Sequence, residues 1–311
     1  MRLDMAHHRS LPAMATDPVP ARGSAARGRI VLVGTPIGNM GDLSPRAAAT
    51  LAEADVVCCE DTRHTRKLLS ASGIAAGRLV ALHEHNEATA GAEMVRLAGS
   101  GALVAVVSDA GMPGISDPGE RLVRAAVDAG VAVEVVPGPS AVVAALVVSG
   151  LPAERFCFEG FLPRKGGERR NRLAAVAGEE RTTVIYEAPH RVRRTVADLA
   201  AACGGDRRVA LVREITKRFE ETWRGTLDGA TARLGEAEPR GEWVLVLDGA
   251  PAVEVDDADI SAALVEARGV GMARRAAVDE VADRLGVARN RVYRLALGRG
   301  DEPPDDPLRR T

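Results

Sequence analysis

The sequence predicts a two-domain α/β protein: a mainly parallel five-stranded sheet, then a mixed-sheet α/β domain, then a small helical appendage. Three observations carry this expectation. From Arg29 onward, short β-branched runs alternate with Ala-rich amphipathic stretches. The runs are apolar on both faces, as strands must be when helices cover both sides of a parallel sheet. Strand signals then stop after Ala250-Pro251. A chain of 311 residues, 46% hydrophobic and 27% charged, also has the composition and length of a globular protein with more than one domain.

Residues 1–28 carry Pro12, Pro18, Pro20 and scattered Arg without the apolar stretch of a secretion signal. They read as a disordered extension or a misassigned start. In the first domain, 29–150, strands are expected at 30–33, 56–59, 79–82, 103–107 and 131–136. Ser44 before Pro45 marks a helix start, with Ala47, Ala48, Leu51 and Ala54 on one apolar face. Gly73, Gly99 and Gly130 stand where helix C-caps belong. Gly150-Leu151-Pro152 loosens the alternation and opens the second domain, 151–250. Strands are expected there at 156–161, 183–187, 208–213, 221–226 and 243–248, with two clear helices near 169–177 and 191–202. Three short helices follow in 251–311, with Gly286 as the turn of a helix-turn-helix and Val292 packing its second helix back.

Composition excludes several classes of function. The net charge of −2 leaves no uniform basic field, so any nucleic-acid contact must come from a local patch. Aromatic residues are 3%, too few for a stacking platform to be the main device. Cys58, Cys59, Cys157 and Cys203 form no C-x-x-C pair, which fits reduced thiols in a cytoplasmic protein. Apolar runs are too short or too Ala-interrupted to cross a bilayer, so no membrane partner is expected.

Ligands of open α/β sheets bind outside the carboxyl ends of the strands, so the segments after each strand hold the candidates. Gly34-Thr35-Pro36-Ile37-Gly38-Asn39 is glycine-rich but has neither a P-loop Lys nor a G-x-G-x-x-G spacing; alone it is equally a tight turn. Glu60-Asp61-Thr62-Arg63 puts two carboxylates and a guanidinium on the same edge, unless Asp61 or Thr62 simply caps a helix. His83-Glu84-His85-Asn86-Glu87 reads as a polar, substrate-facing loop rather than a metal site, because a third ligand would have to come from elsewhere. Residues 108–119, SDAGMPGISDPG, contain more Gly and Pro than a structural loop needs and shape the backbone for close approach to a ligand. Pro137-Gly138-Pro139-Ser140-Ala141 is a second shaped loop, with Ser140 placed to cap the next helix. Residues 163–172, PRKGGERRNR, are basic, which alone would suit a solvated helix face; their place beside the proposed cleft favours a phosphate-gripping loop, since guanidinium forks match phosphate oxygens.

Taken in order, GTPIGN, EDTR, HEHNE, SDAGMPGISDPG, PGPSA and F-x-G-F-L-P resemble the tetrapyrrole methylase superfamily of S-adenosylmethionine-dependent enzymes. Tyr186-Glu187 with His190-Arg191, and Arg213-Glu214-Ile215-Thr216-Lys217, extend the resemblance from residue 30 to about residue 249. Within that superfamily the motifs are most similar to the bacterial branch that methylates a cytidine ribose 2′-hydroxyl of 16S ribosomal RNA in its decoding region. Met40 and Met112 depart from the pattern without disturbing it.

The resemblance implies the two-domain tetrapyrrole-methylase fold, a homodimer, S-adenosylmethionine as cofactor in the cleft, and 16S rRNA or the small ribosomal subunit as partner. It places the cofactor against Pro36, Gly38, Asp109, Gly111, Ile115, Ser116, Ser140 and Ala141, with Leu162 and Tyr186 from the second domain. Glu60, Asp61, Glu214 and Lys217 are the catalytic candidates, with no means of choosing a base among them and with Lys217 better suited to an electrostatic role. RNA contacts fall to Arg63, Arg164, Lys165, Arg169 and Arg170, and to Arg289, Arg291 and Arg294 on the last helix. No metal is expected. Two alternatives remain at this level: a tetrapyrrole carbon methylase of the same fold, and a non-enzymatic regulator that binds nucleic acid through its helix-turn-helix.

Overall fold

A computed structural model describes residues 28–83, 86–251 and 255–298. The N-terminal extension and the Glu84-His85 pair of the expected polar loop lie outside the described residues. The chain divides into two compact units, one up to Ala250 and one from Pro251.

The first unit holds two sheets. Strands β1 (Arg29–Val33), β2 (Val56–Cys59), β3 (Arg78–Ala81), β4 (Leu103–Val106) and β5 (Ala132–Val136) form a sheet in the order β3-β2-β4-β1-β5. Every pairing in it is parallel. Its helices are α1 (Pro45–Glu53), α2 (Thr62–Ala71), α3 (Glu87–Gly99), α4 (Glu120–Asp128) and α5 (Ala141–Ser149). The two-sided apolar pattern has the expected consequence: Val31, Val33 and Val57 pack into one core cluster, while Ile30, Val104 and Val106 pack into another. The thiol of Cys58, fully buried in the latter cluster, is pushed up to about 12 by that burial, with the neighbouring Cys59 adding to it. It is a small core residue.

Local signals explain the ends of these elements. Ser44 caps α1 by accepting from the Ala47 N–H at 3.1 Å, and Pro45 follows at the first helical position. Gly73 and Gly130 adopt φ of +67° and +68° just beyond α2 and α4, as expected for C-caps. Gly99 differs: it is the last residue of α3, and the cap is Ser100. Ser140 precedes α5 but its side chain makes no capping bond.

The second sheet contains β6 (Phe156–Phe161), β7 (Thr182–Glu187), β8 (Arg208–Arg213), β9 (Glu221–Thr226) and β10 (Trp243–Leu247), ordered β6-β7-β10-β8-β9. It is mixed, with β6 and β7 parallel and the remaining pairs antiparallel. The fold class read from sequence is therefore the observed one. Helices α6 (Gly166–Gly178) and α7 (Pro189–Cys203) match the two expected, and a third, α8 (Leu227–Glu236), was not legible. Gly229 and Gly235 within ten residues hide its period, and burial of Leu227, Ala230 and Leu234 supplies what propensity does not.

Helix α5 joins the sheets. Its Val142, Ala145 and Leu146 share a core cluster with Val184, Ala210, Val212 and Val246 of the second sheet, and Ile37 from the loop after β1 enters the same cluster. The carboxyl ends of β6, β7 and β8 thereby lie with the amino end of antiparallel β10 beside the carboxyl edge of the first sheet.

The unit from Pro251 comprises α9 (Asp257–Gly269), α10 (Arg274–Leu285) and α11 (Arg289–Gly298) around its own core of Ile260, Leu264, Val278, Val281 and Val292. Asp256 and Asp259 form a reciprocal capping box for α9. Gly286 takes the left-handed conformation, φ 62°, that turns α10 into α11. No helix among the described residues is long and apolar enough to cross a membrane.

A Cβ on Gly34 would stand 2.6 Å from the Gly138 backbone, whereas one on Gly73 would meet nothing within 4 Å. Gly34→Ala should therefore destabilise by about 1–3 kcal/mol, as overpacking does. Gly73→Ala should cost only its left-handed backbone, about 1 kcal/mol. Denaturant unfolding of the two variants checks the order, and a reversed order would refute the backbone contact.

Candidate active site

The loops after β1, β4 and β5 are tied together by backbone. Thr35 and Gly111 exchange hydrogen bonds at 2.9 and 3.1 Å, and the Gly34 N–H donates to Val136 at 2.9 Å. Thr35, fully buried, aims its hydroxyl at the carbonyls of Ser108 and Gly111, both at 3.4 Å. Gly111 holds φ +83°, and an added Cβ would lie 3.2 Å from Ile37 Cγ2. Ser116 is left-handed at φ 61° without being glycine, a local strain of the kind that collects at functional sites.

The far end of the β4 loop is fixed by a residue that sequence reading placed in a substrate-facing segment. Glu87 is 6% exposed, and its Oε1 accepts from the N–H groups of Gly119, Arg121 and Leu122 at 3.0, 3.1 and 3.3 Å. It caps α4 from outside, because the N-cap residue Gly119 has no side chain to do so.

A cavity of about 310 Å³ opens where these loops meet the second sheet. Of the expected cofactor residues, Gly111, Ile115, Ser116, Ser140, Ala141 and Tyr186 line it. Pro36 is buried behind the wall, and Gly38 packs instead on the Lys217 side chain. Asp109 accepts from the Asp61 N–H at 3.2 Å and so links the β2 and β4 loops. Leu162 is 1% exposed, packs in the core of the second domain and is not among the residues lining the cavity. Asp117, Phe161 and Trp243 also line the cavity, and sequence reading missed them as site residues. Asp117 lay within a recognised motif; Trp243 stood inside a strand and gave no signal.

Carboxylates gather on one side. Asp117 is pushed up to about 6, first by burial and then by the charges of Glu60 and Asp109. Glu60 is raised by burial, Asp109 and Asp61. Asp61 goes the other way: its hydrogen bonds with Arg63, at 2.8 Å from the guanidinium and 2.7 Å from the backbone N–H, hold it well below the usual carboxylate range. Across the cleft, burial pulls Lys217 down, but Glu242 at 2.9 Å and Glu214 at 3.0 Å outweigh it and keep the ammonium charged. Burial likewise raises Glu214, yet the Glu242 N–H at 2.9 Å and Lys217 bring it below the ordinary value.

The basic residues sort into partnered and free. Arg169, expected to face RNA, is instead buried at 3% exposure: its guanidinium bonds Asp198 at 2.8 Å, the Pro163 carbonyl at 2.9 Å and Thr195 Oγ1 at 3.0 Å. A guanidinium so saturated cannot leave for a phosphate. Arg164, Lys165 and Arg170 are exposed, and Arg63 is exposed while paired with Asp61. On α11, Arg289 pairs with Asp279, Arg291 pairs with Asp257 at 2.7 Å, and Arg294 is exposed. Among the described residues no cluster of His, Cys, Asp and Glu could hold a metal.

The profile of the tetrapyrrole (corrin/porphyrin) methylases matches residues 29–231. The chain belongs to the tetrapyrrole methylase family. A curated relative from Mycobacterium tuberculosis (strain CDC 1551 / Oshkosh), named ribosomal RNA small subunit methyltransferase I, is 47% identical over 87% of this chain and 95% of its own length. A protein of the same name from Synechocystis is 41% identical over 87% of this chain and 98% of its own. Among solved structures, uroporphyrin-III C-methyltransferase from Thermus thermophilus, complexed with S-adenosyl homocysteine, superposes with a TM-score of 0.51. It is 25% identical, over 71% of this chain and 97% of the other.

This methylase is an enzyme that uses S-adenosylmethionine, and its cavity fits that group. The volume falls within the range of small-molecule sites, and apolar walls combine with a few polar groups. The Trp243 indole N–H, in the wall, is buried without an acceptor among the described residues, a donor left over by the fold.

Gly111→Val should raise the cofactor dissociation constant at least ~10-fold in this methylase, because a branched side chain at φ +83° both strains the loop and fills cavity space. Calorimetry with S-adenosylhomocysteine, alongside circular dichroism, reads this out. Unchanged affinity with a native spectrum would remove the β4 loop from the site.

Proposed function

We propose that the protein methylates 16S ribosomal RNA of the small subunit at a cytidine ribose 2′-hydroxyl in the decoding region. The observation that carries the reading is the cavity itself: it has a carboxylate of raised basicity, Asp117, in its wall and adjoins, across Phe161 and Ala188, a guanidinium-rich surface. The names of the relatives at 41% and 47% identity support the substrate class.

When bound, S-adenosylmethionine supplies a methyl group on a sulfonium, an electrophile needing only an aligned nucleophile. Gly111, Ile115, Ser116, Ser140, Ala141 and Tyr186 would hold it, with Trp243 as an added donor. Alignment accounts for a large share of the rate, since effective molarities reach ~10⁵ M or more. The remaining task is to take the proton of the ribose hydroxyl as the oxygen–carbon bond forms. Asp117 suits it: above about pH 6 its carboxylate is ionised, yet it is more basic than an ordinary aspartate. Glu60 sustains that basicity through its charge. Asp61, Glu214 and Lys217 are poorer bases, the first two being lowered by their partners and the third held protonated. Lys217 and Glu214 instead brace the loop after β8 against Gly38.

Purified small subunits incubated with tritiated S-adenosylmethionine should acquire label on a cytidine 2′-oxygen of 16S rRNA. Label on a base carbon, or none in the rRNA, would overturn the reading. The rate at subsaturating RNA should rise with pH through an apparent value of about 6, the ionisation of Asp117 coupled to Glu60. Asp117→Asn should remove that limb and lower kcat by ~10²–10⁴-fold. Glu60→Gln should move the limb to lower pH, because a like charge that raises Asp117 is gone. A wild-type profile in Asp117→Asn would exclude it as the base.

A further inference from the structure

Beside the cofactor cavity lie two further hollows that the reaction as described does not use. One is bounded by Phe161, Leu162, Pro163, Arg164, Ala188 and His190. It shares Phe161 and Ala188 with the cofactor cavity, so the two are adjacent. The next, about 350 Å³, is lined by Arg164, Arg169, His190, Arg191, Arg194 and Thr195. Arg164, His190 and Arg191 belong to both outer hollows, so the three hollows lie in a row along one path over the surface.

The floor of this path is rigid. Glu187 has no exposed side-chain surface and accepts from Thr195 Oγ1 at 2.6 Å and from the Ala188 N–H at 2.9 Å, with Arg191 at 3.2 Å. Arg191 also donates to the Leu162 carbonyl at 2.5 Å, while Arg169 donates to the neighbouring Pro163 carbonyl at 2.9 Å. Two guanidiniums thus clamp consecutive carbonyls and fix the base of the segment from which Arg164 projects. This is why a buried Arg169 matters: it positions the loop.

The charges are unequal. Arg164, Arg169, Arg191 and Arg194 line the pocket, while Glu187 and Asp198 are the carboxylates bonded to it. Asp198 serves Arg169 at 2.8 Å and reaches Arg194 only at 3.6 Å. Arg164 and His190 have no hydrogen bond or ion pair among the described residues. A preformed, open pocket with four guanidiniums against two carboxylates, Arg164 having no partner among the described residues and Arg194 sharing Asp198 with Arg169, suits a phosphodiester, whose oxygens take bidentate arginine bonds. Phe161, 54% exposed, stands between pocket and cavity and offers a face on which a base can stack.

We propose that Arg164, His190 and Arg194 form a binding site for a backbone phosphate of single-stranded RNA, next to the nucleotide whose ribose enters the cofactor cavity. The inference rests on the reading of RNA as substrate and adds to it the place and residues of the grip.

The test measures binding of a single-stranded RNA oligonucleotide by fluorescence anisotropy across salt concentrations, for wild type, Arg164→Ala/Arg194→Ala and Arg124→Ala. Arg124 lies on α4 paired with Glu120 at 3.2 Å, and its replacement removes one charge away from the pocket, half the change in the double variant. The double variant should bind at least ~10-fold more weakly at low salt. Its slope of log affinity against log salt should be shallower by about 0.7 per lost phosphate contact. Arg164→Lys/Arg194→Lys should recover most of that slope, since the charges remain, and S-adenosylhomocysteine affinity should be unchanged in every variant. A double variant indistinguishable from Arg124→Ala would overturn the proposal. Inorganic phosphate displacing the oligonucleotide at equal concentration would assign the pocket to a free anion and also overturn it. Methylation of small subunits by the wild type is scored separately: its absence sinks the substrate reading, while the oligonucleotide data still judge the pocket.

Discussion

Backbone atoms of three loops meet at the carboxyl edge of the parallel sheet, and the rest of the site depends on that meeting. Gly34 and Gly138 approach so closely that neither has room for a Cβ, and Thr35 and Gly111 bond as if they were strands. Parallel order β3-β2-β4-β1-β5 puts β1 between β4 and β5, so their following loops are neighbours by topology before any side chain is considered. The same contact carries Ile37 toward the second sheet, where it joins the apolar cluster that α5 makes with β8 and β10. The cavity is therefore walled on both sides by elements that share one apolar core cluster.

Electrostatics give this frame a direction. Two carboxylates raised by burial and by neighbouring charge, Glu60 and Asp117, stand toward the first sheet. Guanidiniums with few acidic partners stand on the second domain beyond Phe161. On the proposed reading, a polyanion bound on the basic side would have its phosphate held there and its ribose beside a carboxylate of raised basicity. The ion pairs of Lys217 with Glu214 and Glu242 tie its ammonium down at a third corner. Left-handed Glu214 and Thr216, at φ 50° and 64°, show that this corner is held in a costly backbone conformation as well.

Much of this was legible in the sequence, for reasons that differ by element. Both-face apolar runs located the strands of the parallel sheet, because burial on two faces leaves no polar alternation. Clusters of Gly and Pro after β1, β4 and β5 located the ligand loops, because only an unusual backbone needs them. Burial and pairing could not be read. Arg169 looked like one more member of a basic run, yet its spacing from Asp198 and Thr195 on α7 exists only once α6 packs there. Glu87 looked like part of a polar loop, and only the fold reveals that it caps α4. Arg289 and Arg291 read as RNA contacts, and acidic partners from α10 and the start of α9 occupy them. Asp117 was hidden inside a motif valued for its glycines, since its basicity comes first from burial in the fold and then from Glu60, distant in the chain, with Asp109.

Hydrogen–deuterium exchange with and without S-adenosylhomocysteine tests most directly whether the three-loop edge is the catalytic cleft. Binding there should slow exchange in the peptides spanning residues 107–119 and 138–142 and leave α10 and α11 unchanged. Protection absent from 107–119, or confined to residues 257–298, would contradict the account.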